Sequence, residues 1–355
     1  MPLDQPFLKN KAPGFFLLTT LCFLFFGPIA CKEKNITKKP ERSFYYWKSV
    51  LKLNPFELNL LDSLNVTTIY LKFFDVDWEP VSRQAIPLAK LQVQGDGIRS
   101  KFNIVPTVFI TNTCIQQIDS AQIASLAGKI YGAIKDISKI NRVNNTDEIQ
   151  IDCDWTASTQ KKYFALLRSI KQLSNKQISA TIRLHQIKFH SRTGVPPADK
   201  GLLMCYNMGN LKNPATSNSI LETSELLKYT RNLSSYPLSL DVAFPLFEWQ
   251  VLFRNNTYKG LIENLPVNIF TESFTLKKDN RFEILKDTLL SGYDLKKGDI
   301  LRSENSDITQ IFAAANEINQ GLKNTHPRIS LYHLDSVTLK KYSTHELEGI
   351  YNSFH

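Results

Sequence analysis

The feature that most constrains this chain is an eightfold alternation of short β-prone segments with helical patterns. The β-prone segments cover residues 44–49, 67–78, 103–112, 148–156, 177–186, 201–210, 238–247 and 330–336. Between most of them apolar residues recur at three-and-four spacing, as in Ile123, Leu126, Ala127, Ile130, Ile134 and Ile137, or in Phe164, Leu167, Ile170 and Leu173. The stretches 221–233 and 308–322 behave in the same way. Strands that alternate with helices pair in parallel, because each crossover helix returns the chain to the same edge. Eight such strands are expected to close, giving an α/β fold of the (β/α)8 TIM-barrel type. An open doubly wound sheet would place a glycine-rich phosphate loop after its first strand. Gly95-Asp96-Gly97 lies in the middle of a connection instead.

The ends of these segments carry the polarity. Each begins apolar and finishes in large polar or aromatic groups: Tyr46-Trp47, Asp75-Val76-Asp77-Trp78, Thr111-Asn112, Asp152-Cys153-Asp154-Trp155, Arg183-Leu184-His185-Gln186, Tyr206-Asn207, Glu248-Trp249 and Tyr332-His333-Leu334-Asp335. In a barrel those ends converge on one face, where such folds keep their sites. Asp152 and Asp154 are two apart on one strand and therefore share a face. Close carboxylates repel, which raises the pKa of one and can keep it protonated as a general acid. Asp75 and Asp77 repeat the arrangement on the second strand. Trp78, Trp155, Trp249 and Tyr206 offer flat apolar faces beside these acids. Carboxylates among aromatic platforms suit sugars, whose rings have an apolar face and whose glycosidic bond needs acid assistance. The expected catalytic set is Asp154, Asp152 and Glu248. The expected substrate-binding set adds Asp75, Asp77, Trp78, Trp155, Arg183, His185, Tyr206, Asn207, Trp249 and Asp335. The alternative is that these groups only organise the barrel mouth through hydrogen bonds and salt bridges with Arg183, and His185 fits either role.

No metal or cofactor is expected. Asp75, Asp77, Asp152 and His185 show no recognised ligand spacing. The six histidines form no His-Glu-x-x-His pair, and there is no Gly-x-Ser-x-Gly elbow or phosphate-binding loop. The stretch 255–302, with Phe274-Thr275-Leu276, Arg281-Phe282-Glu283-Ile284 and a turn at Lys297-Gly298-Asp299, does not fit a strand–helix unit. It reads as a small α+β insertion after strand seven.

The N-terminus reads as an export signal. Lys9 and Lys11 precede an apolar run over 15–26, too short for a permanent span of about 20 residues. The run ends at Pro28-Ile29-Ala30-Cys31, which resembles the lipobox of bacterial lipoproteins. That resemblance implies cleavage after residue 30, lipidation of Cys31, a polar tether over 31–42 and a barrel over 43–355 anchored in the cell envelope. An uncleaved or ordinarily cleaved signal is the alternative. The formal charge of +10 includes Asp4, Lys9 and Lys11, so the exported chain keeps +9. Outside the cytoplasm this argues against a nucleic-acid partner, while acidic glycans or lipid headgroups remain open. Cys114, Cys153 and Cys205 are an odd remainder without framework spacing, expected as buried thiols.

Glu148-Ile149-Gln150-Ile151-Asp152-Cys153-Asp154-Trp155-Thr156 resembles the Asp-x-Asp-x-Glu run on the fourth strand of chitinase-like glycoside hydrolases. Met204-Cys205-Tyr206-Asn207 resembles their Met-x-Tyr-Asp on the sixth, and their small insertion after strand seven has a counterpart here. In overall texture the chain is similar to glycosidase-like lipoproteins of Bacteroidetes type. The resemblance implies a glycan partner, with Asp154 and Tyr206 orienting it. One departure stands out: the family's proton donor is Glu two residues after the second Asp, and Thr156 occupies that place. Two readings follow, with a third behind them. The chain is a glycoside hydrolase in which Asp154 is itself the acid and Glu248 the second carboxylate, or a barrel that binds glycan without cutting it. An assembly scaffold would instead show a filled barrel mouth and an exposed apolar patch.

Overall fold

A computed structural model of the chain describes residues 38–95, 101–143, 147–263, 274–290 and 292–354. Eight parallel strands form its centre: β1 (Glu41–Tyr46), β2 (Thr68–Glu79), β3 (Asn103–Ile110), β4 (Glu148–Cys153), β5 (Gln177–Arg183), β6 (Lys200–Met204), β7 (Leu240–Pro245) and β8 (Arg328–Tyr332). Each pairs with its neighbour in sequence order, and β1 pairs with both β2 and β8, so the sheet closes on itself. The expected (β/α)8 barrel is what forms. Seven of the strands end earlier than the β-prone segments, whose last residues leave the ladder; β2 alone runs on, to Glu79.

Helices α1 (Pro55–Ser63), α2 (Ile123–Asn141), α3 (Gln160–Ser174), α4 (Thr223–Thr230), α5 (Ile308–Gly321) and α6 (Thr344–Asn352) pack around the barrel. All six apolar positions expected on one face of α2 are buried. On α3 the buried face is rotated from the expected one. Tyr163, Leu166, Leu167 and Ile170 are buried, while Leu173 is 50% exposed. Tyr163 lies on that buried face, and its hydroxyl donates to the Ile151 carbonyl on β4 at 3.2 Å. No helix among the described residues follows β2. A strand over Gln84–Leu88 folds back antiparallel on it instead.

The N-terminal boundary also lies earlier than expected. Glu41 opens β1 opposite Arg328, the Arg328 guanidinium contacts its carboxylate at 2.9 Å, and the Lys39 amide donates to the Thr325 carbonyl. The last residues assigned to the tether therefore belong to the barrel.

Charged residues fill the bottom of the barrel. Lys200 bridges Glu148 and Asp241 at 2.9 and 2.8 Å, and Arg328 contacts Glu148 at 2.8 Å and the Tyr70 hydroxyl at 3.0 Å. Burial opposes the charge on Glu148, but Arg328 and Lys200 outweigh it and hold its pKa below the ordinary value. Buried charges persist only when paired in this way. Above this layer Gln150 accepts from the hydroxyls of Tyr45 and Thr107.

The insertion begins directly after β7, at Glu248 rather than residue 255. It is a five-stranded antiparallel sheet in the spatial order Thr257–Ile262, Glu248–Arg254, Ile300–Asn305, Arg281–Ile284, Phe274–Lys278. Leu252, Ile262, Ile284, Leu295 and Leu301 form its own apolar core. Every regular element of the insertion among the described residues is a strand. The cysteines Cys114, Cys153 and Cys205 are buried free thiols. The expected signal, residues 1–30 with Cys22, and Cys31 lie outside the described residues.

Candidate functional site

The C-terminal ends of the strands open into a cleft of about 830 Å³. Its floor and one side are formed by β4, whose alternate residues climb the inside of the barrel. Glu148 sits at the bottom, Gln150 in the middle, Asp152 beneath the mouth and Asp154 at the lip. Asp152 is 7% exposed and its Oδ1 accepts from the Thr181 hydroxyl on β5 at 2.6 Å. Burial pushes its carboxyl up to about 6, opposed by the Thr181 hydrogen bond and Arg183 and reinforced by the charges of Asp154 and Asp75. The expected repulsion between Asp152 and Asp154 is therefore present, second to loss of water. Asp154 is half-exposed and ion-paired with the Arg183 guanidinium.

Aromatic residues make the opposite wall. Tyr206 stacks on Tyr332 with centroids 5.3 Å apart, and Phe247 stands edge-on to both. Trp47, one residue past β1, meets Tyr332 at 5.9 Å and Phe109 at 6.5 Å. Burial raises the hydroxyl pKa of both Tyr206 and Tyr332, so these rings present neutral polar tips to the cleft. Trp249 lines the cleft from the first strand of the insertion, its indole N–H donating to Glu304 at 2.7 Å.

The remaining polar groups sit on the rim. Glu248 pairs with Lys341. Asp335 pairs with Lys48 and caps the short helix Ser336–Leu339, accepting from the Val337 amide at 2.9 Å and the Thr338 amide at 3.3 Å. Burial works against its charge, yet Lys48 and these amides hold its pKa below the ordinary value. Asn207 adopts a left-handed backbone, which an Asn side chain tolerates, and its side chain reaches the cleft.

Several expected site residues lie elsewhere. Trp155 is 3% exposed, stacks on Tyr163 at 5.1 Å and donates its indole N–H to the Thr193 carbonyl. It is a core residue under α3 and offers no platform to a ligand. Trp78 pairs with Ala85 across the hairpin and lines no part of the cleft. Asp77 accepts from the Thr111 hydroxyl at 2.6 Å and joins the ends of β2 and β3. Asp75 contacts Lys72 at 2.8 Å. A bulge between Lys72 and Phe74 brings these two residues, three apart, onto one face. Asp75 lines no part of the cleft and acts on it through its charge, which helps raise the Asp152 carboxyl and the Tyr332 hydroxyl. His185 is exposed on the short helix Leu184–Lys188, outside the cleft lining.

Other cleft residues were not expected. Trp47 and His333 stood at strand ends and could have been chosen by that rule. Lys341 and Glu263 come from a loop and the edge of the insertion, and no local pattern marks them. Thr156, at the place of the resembled family's acid, is not among the residues that line the cleft: its hydroxyl lies 2.9 Å from that of Ser158 and its amide donates to the Thr159 hydroxyl.

No family model matches the sequence, and no curated protein matches it. Among solved structures, the chitinase of Chromobacterium violaceum is similar with a TM-score of 0.51 and 12% identity, covering 89% of this chain and 99% of that one. The spore cortex-lytic enzyme SleL of Bacillus megaterium is similar with a TM-score of 0.51 and 13% identity, covering 89% of this chain and 74% of that one. At such identity the likeness is one of fold. What the two share with this chain is the (β/α)8 barrel.

Proposed function

We propose that the protein is a glycan-binding barrel of the cell envelope, built on a glycoside hydrolase-like scaffold and holding an oligosaccharide in the cleft without hydrolysing it. The observation that carries this reading is the pairing of an aromatic wall, Trp47, Tyr206, Tyr332 and Trp249, with a rim of carboxylates. Sugar rings need both: a flat apolar surface for their C–H faces and acceptors for their hydroxyls. The absence of cutting rests on Thr156, whose hydroxyl is too weak an acid to protonate a leaving group at neutral pH and lies 2.9 Å from the Ser158 hydroxyl. Asp154 and Glu248, the two carboxylates that could replace it, are each committed to a cation.

One observation favours hydrolysis as a second reading. Asp152, with its carboxyl raised to about 6, lines the cleft and is partly protonated near neutrality. A glycan array and a hydrolysis screen, run on the protein and on Asp154→Asn, separate the two. Binding without product release by either protein supports the binding reading. Release by the parent that disappears in Asp154→Asn makes the protein a hydrolase with Asp154 in its mechanism. Anchoring through a lipid on Cys31 belongs to the same proposal and would hold the cleft near envelope or environmental glycans.

A further inference from the structure

The cleft is opposite in sign to the chain that builds it. The chain carries a formal charge of +10, but the cleft lining holds five carboxylates against three cations. Every one of those cations is already neutralised: Arg183 by Asp154, Lys341 by Glu248 and Lys48 by Asp335. His333 adds no charge near neutral pH, since burial pushes its imidazole below the ordinary value. Asp152 and Glu263 remain, without an ion-pair partner among the described residues. Asp152 is nine-tenths buried, lines the cleft and receives a neutral hydrogen bond from Thr181.

We propose that the cleft selects a cationic oligosaccharide, whose hexosamine units carry free ammonium groups, over neutral and acidic glycans. This rests on the reading of the cleft as a glycan site and names its ligand class. An ammonium near Asp152 or Glu263 would supply the counter-charge that no side chain supplies. Inside a low-dielectric cleft such a contact is strong, about fourfold stronger than in bulk water at the same distance. The basic residues elsewhere on the surface do not reverse it, because charges more than about 8–10 Å apart across solvent are screened at physiological salt. A uronic acid or sulfate would have to displace a carboxylate from Arg183, Lys341 or Lys48 before finding a cation.

Titration calorimetry of the full-length protein tests the proposal with three ligands of equal length: a glucosamine tetramer, its N-acetylated counterpart and a galacturonic acid tetramer. The glucosamine tetramer is expected to bind about tenfold or more tighter than the acetylated one, with the preference shrinking as salt is raised. Glu263→Gln, on an exposed side chain, and Asp152→Asn should each narrow it. Equal or tighter binding of the acetylated or acidic tetramer overturns the charge selection while leaving a glycan site in place. Binding of none of the three overturns the glycan reading itself. A short lysine peptide that binds as well as the glucosamine tetramer would also overturn the proposal, since charge alone would then explain the affinity.

Discussion

The indole N–H of Trp249 donates to Glu304 Oε2 at 2.7 Å, and that bond ties the cleft wall to the centre of the insertion. The same carboxylate accepts from the Ser219 amide and hydroxyl at 2.9 and 2.5 Å and from Arg302 Nε at 2.6 Å. Arg302 in turn donates to the carbonyls of Leu211 and Asn213. One buried acid thus holds a cleft tryptophan, the long loop after β6 and the insertion sheet in register. Glu304→Ala leaves the fully buried Arg302 without its counter-charge, which typically costs about 3–5 kcal/mol. Chemical denaturation should show that loss, and ligand affinity should fall with it. A variant as stable as the parent would mean that the insertion relaxes around the missing carboxylate.

Asp152 makes stability depend on pH in a definite direction. Its carboxyl stands at about 6 in the folded protein against an ordinary 3.8, so the unfolded chain gives up the proton first. Stability is then fully present below pH 4 as far as this group is concerned and is lost as pH rises from about 4 to 6. The difference corresponds to about 3 kcal/mol as an upper figure. Asp152→Asn keeps an acceptor for Thr181 and removes the cost of burying the charge. It should be more stable than the parent at pH 7 and equal to it near pH 4. Parallel pH–stability curves for the two proteins would show that Asp152 is not the source.

Two tryptophans that look alike in the sequence should separate cleanly. Trp155→Ala empties a packed site beneath α3 and should cost about 3–5 kcal/mol of stability. Trp47→Ala, on the cleft wall, should leave most of the stability and lower glycan affinity on the order of tenfold or more, as loss of a central aromatic contact does. Thermal melts beside binding isotherms of both variants give the answer. Loss of binding in a fully stable Trp155→Ala protein would reverse the assignment.

Cys31→Ser should move the protein from the membrane to the soluble fraction of cells, with the unprocessed signal retained or removed elsewhere. Fractionation and mass analysis of the N-terminus check this, and persistence at the membrane would remove the lipid anchor from the proposal.

The sequence by itself determined the barrel. Alternating periods of β-prone and three-and-four apolar residues depend only on neighbours along the chain, and they marked all eight strands and the face of α2. The strand-end rule also brought Asp152, Asp154, Tyr206, Asn207, Glu248, Trp249 and Asp335 to one mouth. What the tertiary structure decided is which polar groups remain available there. Trp155 was drawn into the core by Tyr163, Asp77 was occupied by Thr111, and Arg183, Lys341 and Lys48 were each taken by a carboxylate. Several of those partners are distant in sequence, as Lys341 is from Glu248 and Asp335 from Lys48, and they meet only once the barrel closes. Local pattern therefore fixed where the site lies, whereas its charge, and with it the ligand it can hold, depended on contacts that exist only in three dimensions.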